Sequence, residues 1–171
     1  FKDEVVPVTV KTRKGEAVFA TDEEPGKIDL DRIPTLRAAF GKEGVLTAAS
    51  SSKISDGAAA TVLMSADEAR SRGLKPLARI VAHATHSQAP EWFTTAPVKA
   101  MANVLEKAGW KVGDVDLFEV NEAFAVVAMA PMKDLGIPHD RLNVHGGACA
   151  LGHPIGASGA RLVVTLLNAL K

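Results

Sequence analysis

Near the start of the chain, apolar residues come in short bursts: Val5-Val6, Val8, Val10, then Ala17-Val18-Phe19, with Lys14-Gly15 between them. That spacing predicts a β-hairpin over residues 4–20. Residues 21–34 are mostly polar and hold Pro25-Gly26, so they read as exposed loop. Pro34 to Phe40 is too short to assign. A hydroxyl-rich stretch, Thr47 to Ser55, leads through Asp56-Gly57 into the apolar run Ala58 to Met64. A short apolar run behind a turn signal predicts a fully buried strand. Ser65-Ala66-Asp67-Glu68 has the spacing of a capping box, which predicts a helix to about Arg72 with Gly73 at its end.

Leu77 to Ala84 reads as a second strand. Pro97 suits the first turn of a helix, with Val98, Met101, Ala102 and Leu105 on one face and Gly109 as its stop. Leu117-Phe118-Glu119-Val120 reads as a third strand. It runs into Asn121-Glu122-Ala123-Phe124 and a helix so apolar that it should be buried, ending near Leu135-Gly136. Pro131 inside it should cost about 3 kcal/mol or force a kink. Residues 143–160 are glycine-rich, and Leu162 to Leu170 is apolar and helical. Strands alternating with helices predict a layered α/β fold, with no internal repeat and a composition shift near residues 74–77.

Composition narrows the function classes. Formal net charge is zero, without long like-charge runs, so nothing steers the chain toward nucleic acid or an anionic membrane surface. No apolar stretch reaches the roughly 18 residues of a membrane span. The single cysteine, Cys149, excludes an internal disulfide framework and fits a reducing, cytoplasmic setting. Phe1-Lys2-Asp3-Glu4 is not a signal peptide and lacks a starting methionine, and Leu170-Lys171 stops within a helical pattern, so both ends read as cut.

The chemistry concentrates between Asn143 and Arg161. His153 lies between Gly152 and Pro154, ahead of a helix starting near Ala157. The proline keeps it out of helical geometry. An imidazole on so stiff a turn suits proton transfer from a thiol or a hydrogen bond to a developing oxyanion; the alternative is a structural turn histidine. Asn121, directly after a strand, could position a water through its amide or cap the next helix. Glu122 reads as a structural, hydrogen-bonded carboxylate. Cys149, among Ala148, Ala150 and Leu151, reads as a small buried apolar residue rather than a nucleophile paired with His153. His83 and His86 lack a third ligand for a metal. Gly147 to Gly152 lacks the Lys-Ser/Thr of a phosphate loop, and Gly156-Ala157-Ser158-Gly159 misses the nucleophile-elbow spacing by one residue.

Three blocks together resemble the thiolase family: Gly146 to Arg161 its histidine motif, Asn121-Glu122-Ala123-Phe124 its asparagine loop, and Ser55-Asp56-Gly57-Ala58-Ala59-Ala60 the strand after its coenzyme A-binding serine. The spacings among the blocks agree, and the likeness spans essentially the whole chain. It implies a layered αβαβα fold in which residues 1–54 complete a cap region, 55–76 the last strand and helix of an N-terminal half, and 77–171 most of a C-terminal half. It implies that His153 activates a cysteine nucleophile and helps bind the thioester oxygen, while Asn121 holds a water in the same oxyanion hole. Ser52 and Phe40 would lie along the pantetheine arm of coenzyme A, and Phe93 beside the acyl group, where biosynthetic relatives often have methionine. Lys27 stands where many relatives place an arginine at the adenine end, and His145 where asparagine is usual.

The implied activity is Claisen condensation of two acetyl-CoA to acetoacetyl-CoA, or the reverse thiolysis, by a homodimer or homotetramer of fatty acid metabolism. Coenzyme A thioesters are its substrates, with no further cofactor and no metal. Both catalytic cysteines of the family lie outside these residues, so the chain alone is expected to be inactive. The alternatives are a non-catalytic acyl-CoA-binding or interaction module, and a Cys149–His153 thiol hydrolase.

Overall fold

The computed structural model describes all 171 residues. The first paired element is the expected hairpin: β1 (Val8–Thr12) runs antiparallel to β2 (Gly15–Phe19), with Thr12 opposite Gly15 and Arg13-Lys14 in the turn. Thr12 Oγ1 closes the turn, donating to Gly15 O at 2.8 Å and accepting from Lys14 N at 3.2 Å. The hairpin is almost wholly exposed and contributes nothing to the core. The polar stretch that follows holds two short 3-10 turns, Pro25–Lys27 and Leu30–Thr35.

α1 (Ala66–Ser71) starts where the sequence signal placed it, with Ser65 Oγ accepting from Glu68 N at 3.1 Å. Only half of the capping box forms, because the Glu68 carboxylate turns instead to Arg72, one helical turn on. α2 (Ala96–Ala108) carries Pro97 in its first turn and stops at Gly109. α3 (Ala125–Leu135) follows the asparagine-bearing loop, and Gly136 ends it. Two further helices flank the His153 turn, the four-residue α4 (Ala148–Leu151) and the longer α5 (Ser158–Ala169).

The core is one cluster: Phe118, Val120, Val127, Ala128, Ile137 and Leu142 are buried, with Met101 of α2 and Met132 of α3 packed against it. It anchors residues 118–120, and therefore Asn121, against α3. Phe118 N donates to Arg141 O at 2.8 Å and Asn143 N to Phe118 O at 2.9 Å, a single parallel rung rather than a full strand. α3 runs through Pro131 without interruption. The ring is under 2 % exposed, so its apolar burial opposes the loss of the hydrogen bond a proline cannot make.

Besides the strand expected at 117–120, which is only a single rung, three expectations need correction. Residues 58–64 form no paired strand and are not buried: Val62 is 86 % and Leu63 72 % exposed. Residues 77–84 likewise pair with nothing, and Leu77 and Ile80 face solvent. An apolar run marks a segment that can be buried, but burial needs a facing surface, and none of the other segments here supplies one. α3 is also buried on one side only, since Met129 is exposed.

Candidate active site

The turn at His153 is built by close approach. Gly152 adopts φ +97°, and a Cβ there would lie 2.2 Å from Ser55 Oγ, so only glycine fits. His153 N donates to Lys53 O at 2.8 Å, which ties the turn to the hydroxyl-rich segment. The half-buried imidazole is held at both nitrogens. Nδ1 lies 2.6 Å from Ser158 Oγ, a 3 % exposed hydroxyl in the first turn of α5. Nε2 lies 3.2 Å from Asn121 Nδ2. Two residues 32 positions apart thus meet side chain to side chain.

Asn121 is aimed by its neighbours. Asn143, in the left-handed region at φ +48°, accepts from Val120 N at 2.8 Å and donates to Val120 O at 2.9 Å and to Glu122 Oε1 at 3.0 Å. One amide therefore brackets Asn121 on both sides. The Asn121 side chain is no helix cap, since the residue before α3 is Phe124 and no side chain caps that helix. Asn121 Oδ1 is buried with no protein partner. The Glu122 carboxylate also accepts from Cys149 N at 3.1 Å at the start of α4, and a Cβ on Gly147 would lie 2.2 Å from its Cδ. Glu122 is a structural carboxylate, as its sequence context suggested.

Beneath the loop, Glu119 and Arg161 face each other at 3.7 Å without a hydrogen bond. Burial pushes the Glu119 carboxyl up to about 7, opposed by the Arg161 charge and reinforced by Glu122 and Glu4.

Ser52 lies beside the same loop: its N and Oγ donate to Ala123 O at 3.1 and 2.9 Å. Phe40 and Phe93 both meet Phe124 edge-on, with ring centroids 5.9 and 6.4 Å away. All five singled-out residues therefore gather around 121–124: His153 on Asn121, Ser52 on Ala123, and Phe40 and Phe93 on Phe124. An open groove of about 460 Å³ runs alongside, between Ser55–Ala59 and Pro154–Ala157, but neither His153 nor Asn121 lines it.

Models of the thiolase N-terminal and C-terminal domains match residues 1–67 and 74–171. The chain belongs to the thiolase family. It is 51 % identical over its whole length to a probable acetyl-CoA acetyltransferase of Dictyostelium discoideum, of which it covers 42 %. With the acetyl-CoA acetyltransferase of Paracoccus denitrificans it shares 52 % identity over 98 % of the chain and 43 % of that protein. Among solved structures, the acetyl-CoA acetyltransferase of Bacillus anthracis superposes at a TM-score of 0.94, with 42 % identity over 98 % of this chain and 43 % of that one. Human mitochondrial 3-ketoacyl-CoA thiolase gives 0.85, with 35 % identity over 96 % and 42 %. The chain spans less than half the length of these relatives, and its fold is the thiolase-like α/β fold the motifs implied.

Within this thiolase chain the only thiol is a poor nucleophile. Cys149 Sγ points toward Glu122 O at 3.9 Å, and burial, followed by the Glu122 charge and hydrogen bond, pushes it up to about 12. That removes the basis for a Cys149–His153 hydrolase, since the thiolate is the reacting form. Lys27 is engaged by Glu23 and Glu24 at 3.0 Å each, and Glu24 also pairs with Lys53. The His145 ring packs against Phe1.

The sequence did not single out five participants. Ser158 follows His153 by five residues across a helix start, the spacing that returns a side chain onto the preceding turn. Asn143, Phe124 and the buried Glu119–Arg161 pair act across folded distance, although a charged Glu119 between the buried Phe118 and Val120 was itself a visible signal.

Proposed function

We propose that this chain carries the histidine–asparagine half of a thiolase-type acyltransferase site, acting on coenzyme A thioesters. The observation that carries it is the 3.2 Å contact between Asn121 Nδ2 and His153 Nε2. An imidazole nitrogen and an amide side by side can serve a thioester in two ways. The imidazole takes the proton of an attacking thiol, and the resulting Nε2–H then faces the carbonyl oxygen as charge builds on it. The amide contributes its own donor, directly or through a water, and its fixed position means that little reorganisation is needed when the charge appears.

In this reading the reaction is the joining of two acetyl-CoA molecules into acetoacetyl-CoA, or the reverse thiolysis, within fatty acid metabolism. Phe40, Phe93 and Phe124 offer an aromatic wall for the pantetheine arm and acyl group, with Ser52 next to it. The nucleophilic thiolate comes from outside these 171 residues, since Cys149 cannot supply it, so the chain alone should not turn over. We assign residues 1–54 to the cap, 55–76 to the end of the N-terminal half and 77–171 to the C-terminal half. The single reduced thiol supports a cytoplasmic location, and the exposed apolar segments 58–64 and 77–81 support assembly into a homodimer or homotetramer.

The test is a chimera in which these 171 residues replace the matching span of the Bacillus anthracis acetyl-CoA acetyltransferase, assayed for acetoacetyl-CoA thiolysis. Activity is expected, with His153→Ala and Asn121→Ala each lowering kcat by roughly a hundredfold or more. A folded chimera that binds acetyl-CoA without thiolysis would favour a non-catalytic acyl-CoA-binding module instead. His153→Ala at full activity would sink the assignment of the imidazole.

A further inference from the structure

The geometry points to Ser158 as a positioning residue that holds His153 in the tautomer protonated on Nδ1, leaving Nε2 as the basic nitrogen beside Asn121. The inference rests on the reading of His153 as the reacting base, but its own evidence is a chain of hydrogen bonds. Ser158 Oγ is 2.6 Å from His153 Nδ1 and 3.1 Å from Pro154 O. The carbonyl can only accept, and it already receives Ala157 N at 2.8 Å and Ser158 N at 2.9 Å. The hydroxyl has one proton, which goes either to that carbonyl or to Nδ1.

The far side of the ring decides between them. If the hydroxyl donates to Nδ1, the neutral ring carries its proton on Nε2, and that N–H faces the Asn121 amide nitrogen at 3.2 Å, donor against donor. Rotating the amide would relieve the clash only by placing an N–H2 where Asn121 Oδ1 now sits buried and unpartnered, so that neither of its protons would have an acceptor, whereas one of them now has Nε2. If Nδ1–H instead donates to Ser158 Oγ, the hydroxyl proton turns to Pro154 O, Nε2 offers its lone pair to Asn121 Nδ2–H, and each contact pairs one donor with one acceptor.

The consequence concerns direction of proton flow. A thiol that displaces the Asn121 N–H from Nε2 meets that lone pair and transfers its proton there, while Nδ1–H stays on Ser158 throughout. The ring then bears protons on both nitrogens, and Ser158 Oγ, as acceptor, stabilises the cation. A hydroxyl acting as donor would oppose it. Ser158 is fixed for this by its place in the first turn of α5, nearly without solvent contact.

The experiment is long-range proton–nitrogen correlation spectroscopy on the 171-residue chain with isotope-labelled histidine, in alkaline buffer. The five histidines are separated by a His153→Asn variant that deletes one signal. The expected wild-type pattern is Nδ1–H. Ser158→Ala should shift the ratio toward Nε2–H by up to about tenfold, the worth of one hydrogen bond, and Ser158→Thr, which keeps the hydroxyl, should restore it. A wild-type ring carrying its proton on Nε2 would overturn the proposal, as would Ser158→Ala with an unchanged tautomer. If Ser158→Ala does not fold, the wild-type spectrum and Ser158→Thr still decide. Because the readout needs no turnover, a chimera without thiolysis would count against the acyl-transfer reading while leaving the tautomer result standing.

Discussion

Glu119 supplies a prediction whose size can be worked out. Its carboxylate is 3 % exposed, its nearest cation is the Arg161 guanidinium at 3.7 Å, and neither oxygen has a hydrogen bond. Burial outweighs the attraction of the Arg161 charge and, with smaller repulsion from Glu122 and Glu4, raises Glu119 from 4.5 to about 7. At about 1.4 kcal/mol per pH unit, that difference amounts to roughly 3 kcal/mol. Because the folded value lies above the unfolded one, the folded state binds the proton more tightly. The contribution is complete below about pH 4.5 and is lost as pH rises through 7. Denaturant unfolding followed by circular dichroism between pH 5 and 8 should therefore show wild-type stability falling with pH. Glu119→Gln, a neutral mimic of the protonated form, should remove most of that slope. It should match wild type near pH 5 and exceed it by up to about 3 kcal/mol at pH 8. Parallel curves for the two proteins would refute the argument, since they would mean that Glu119 titrates alike in the folded and unfolded chains.

Gly147→Ala should displace the Glu122 carboxylate and break its bonds to Cys149 N and Asn143, costing roughly 2 kcal/mol of unfolding free energy by denaturant titration; unchanged stability would mean that Glu122 has another equally good seat. Cys149, raised from 9.0 to about 12, should react with a small thiol reagent about a thousandfold more slowly than a free thiol, reaching the ordinary rate in denaturant. Rapid labelling of the folded chain would contradict the burial argument. Phe124→Ala removes the ring that both Phe40 and Phe93 meet and should weaken acetyl-CoA binding to the chimera by about tenfold, measured by calorimetry; unaltered affinity would take the aromatic wall out of the substrate path.

What could be read in advance was local. The hairpin follows from alternation around a two-residue turn, α2 from Pro97 and Gly109 at its ends, and the His153 bend from its glycine and proline. Each of these needs only neighbours in sequence. Residues 58–64 and 77–84 went the other way, because their composition records a capacity for burial and says nothing about which surface faces them. The meeting of Asn121 with His153 was legible only through the likeness to thiolases, since no periodicity links positions 32 apart. Asn143 was hidden for a further reason. Its amide bonds the backbone of Val120, 23 positions back, in place of a strand rung, and a side chain that imitates backbone leaves no alternating pattern to read.

The hydroxyl-rich stretch before Asp56 now has a mechanical explanation. Residues 51–55 sit between the two halves of the site. On one side Ser51 bridges Phe124, and Ser52 donates twice to Ala123 O. On the other, Lys53 O receives His153 N, and Ser55 fills the space that a side chain at Gly152 would need. A larger residue at Ser55 would push the histidine turn away, and one that could not donate at Ser52 would loosen the asparagine loop. The apolar cluster anchors the asparagine side, and the 3.2 Å gap between the imidazole and the amide is bridged by a spacer of small side chains and shared backbone hydrogen bonds. Such a spacer fixes the distance between the two groups through backbone hydrogen bonds, which do not depend on how any one large side chain packs.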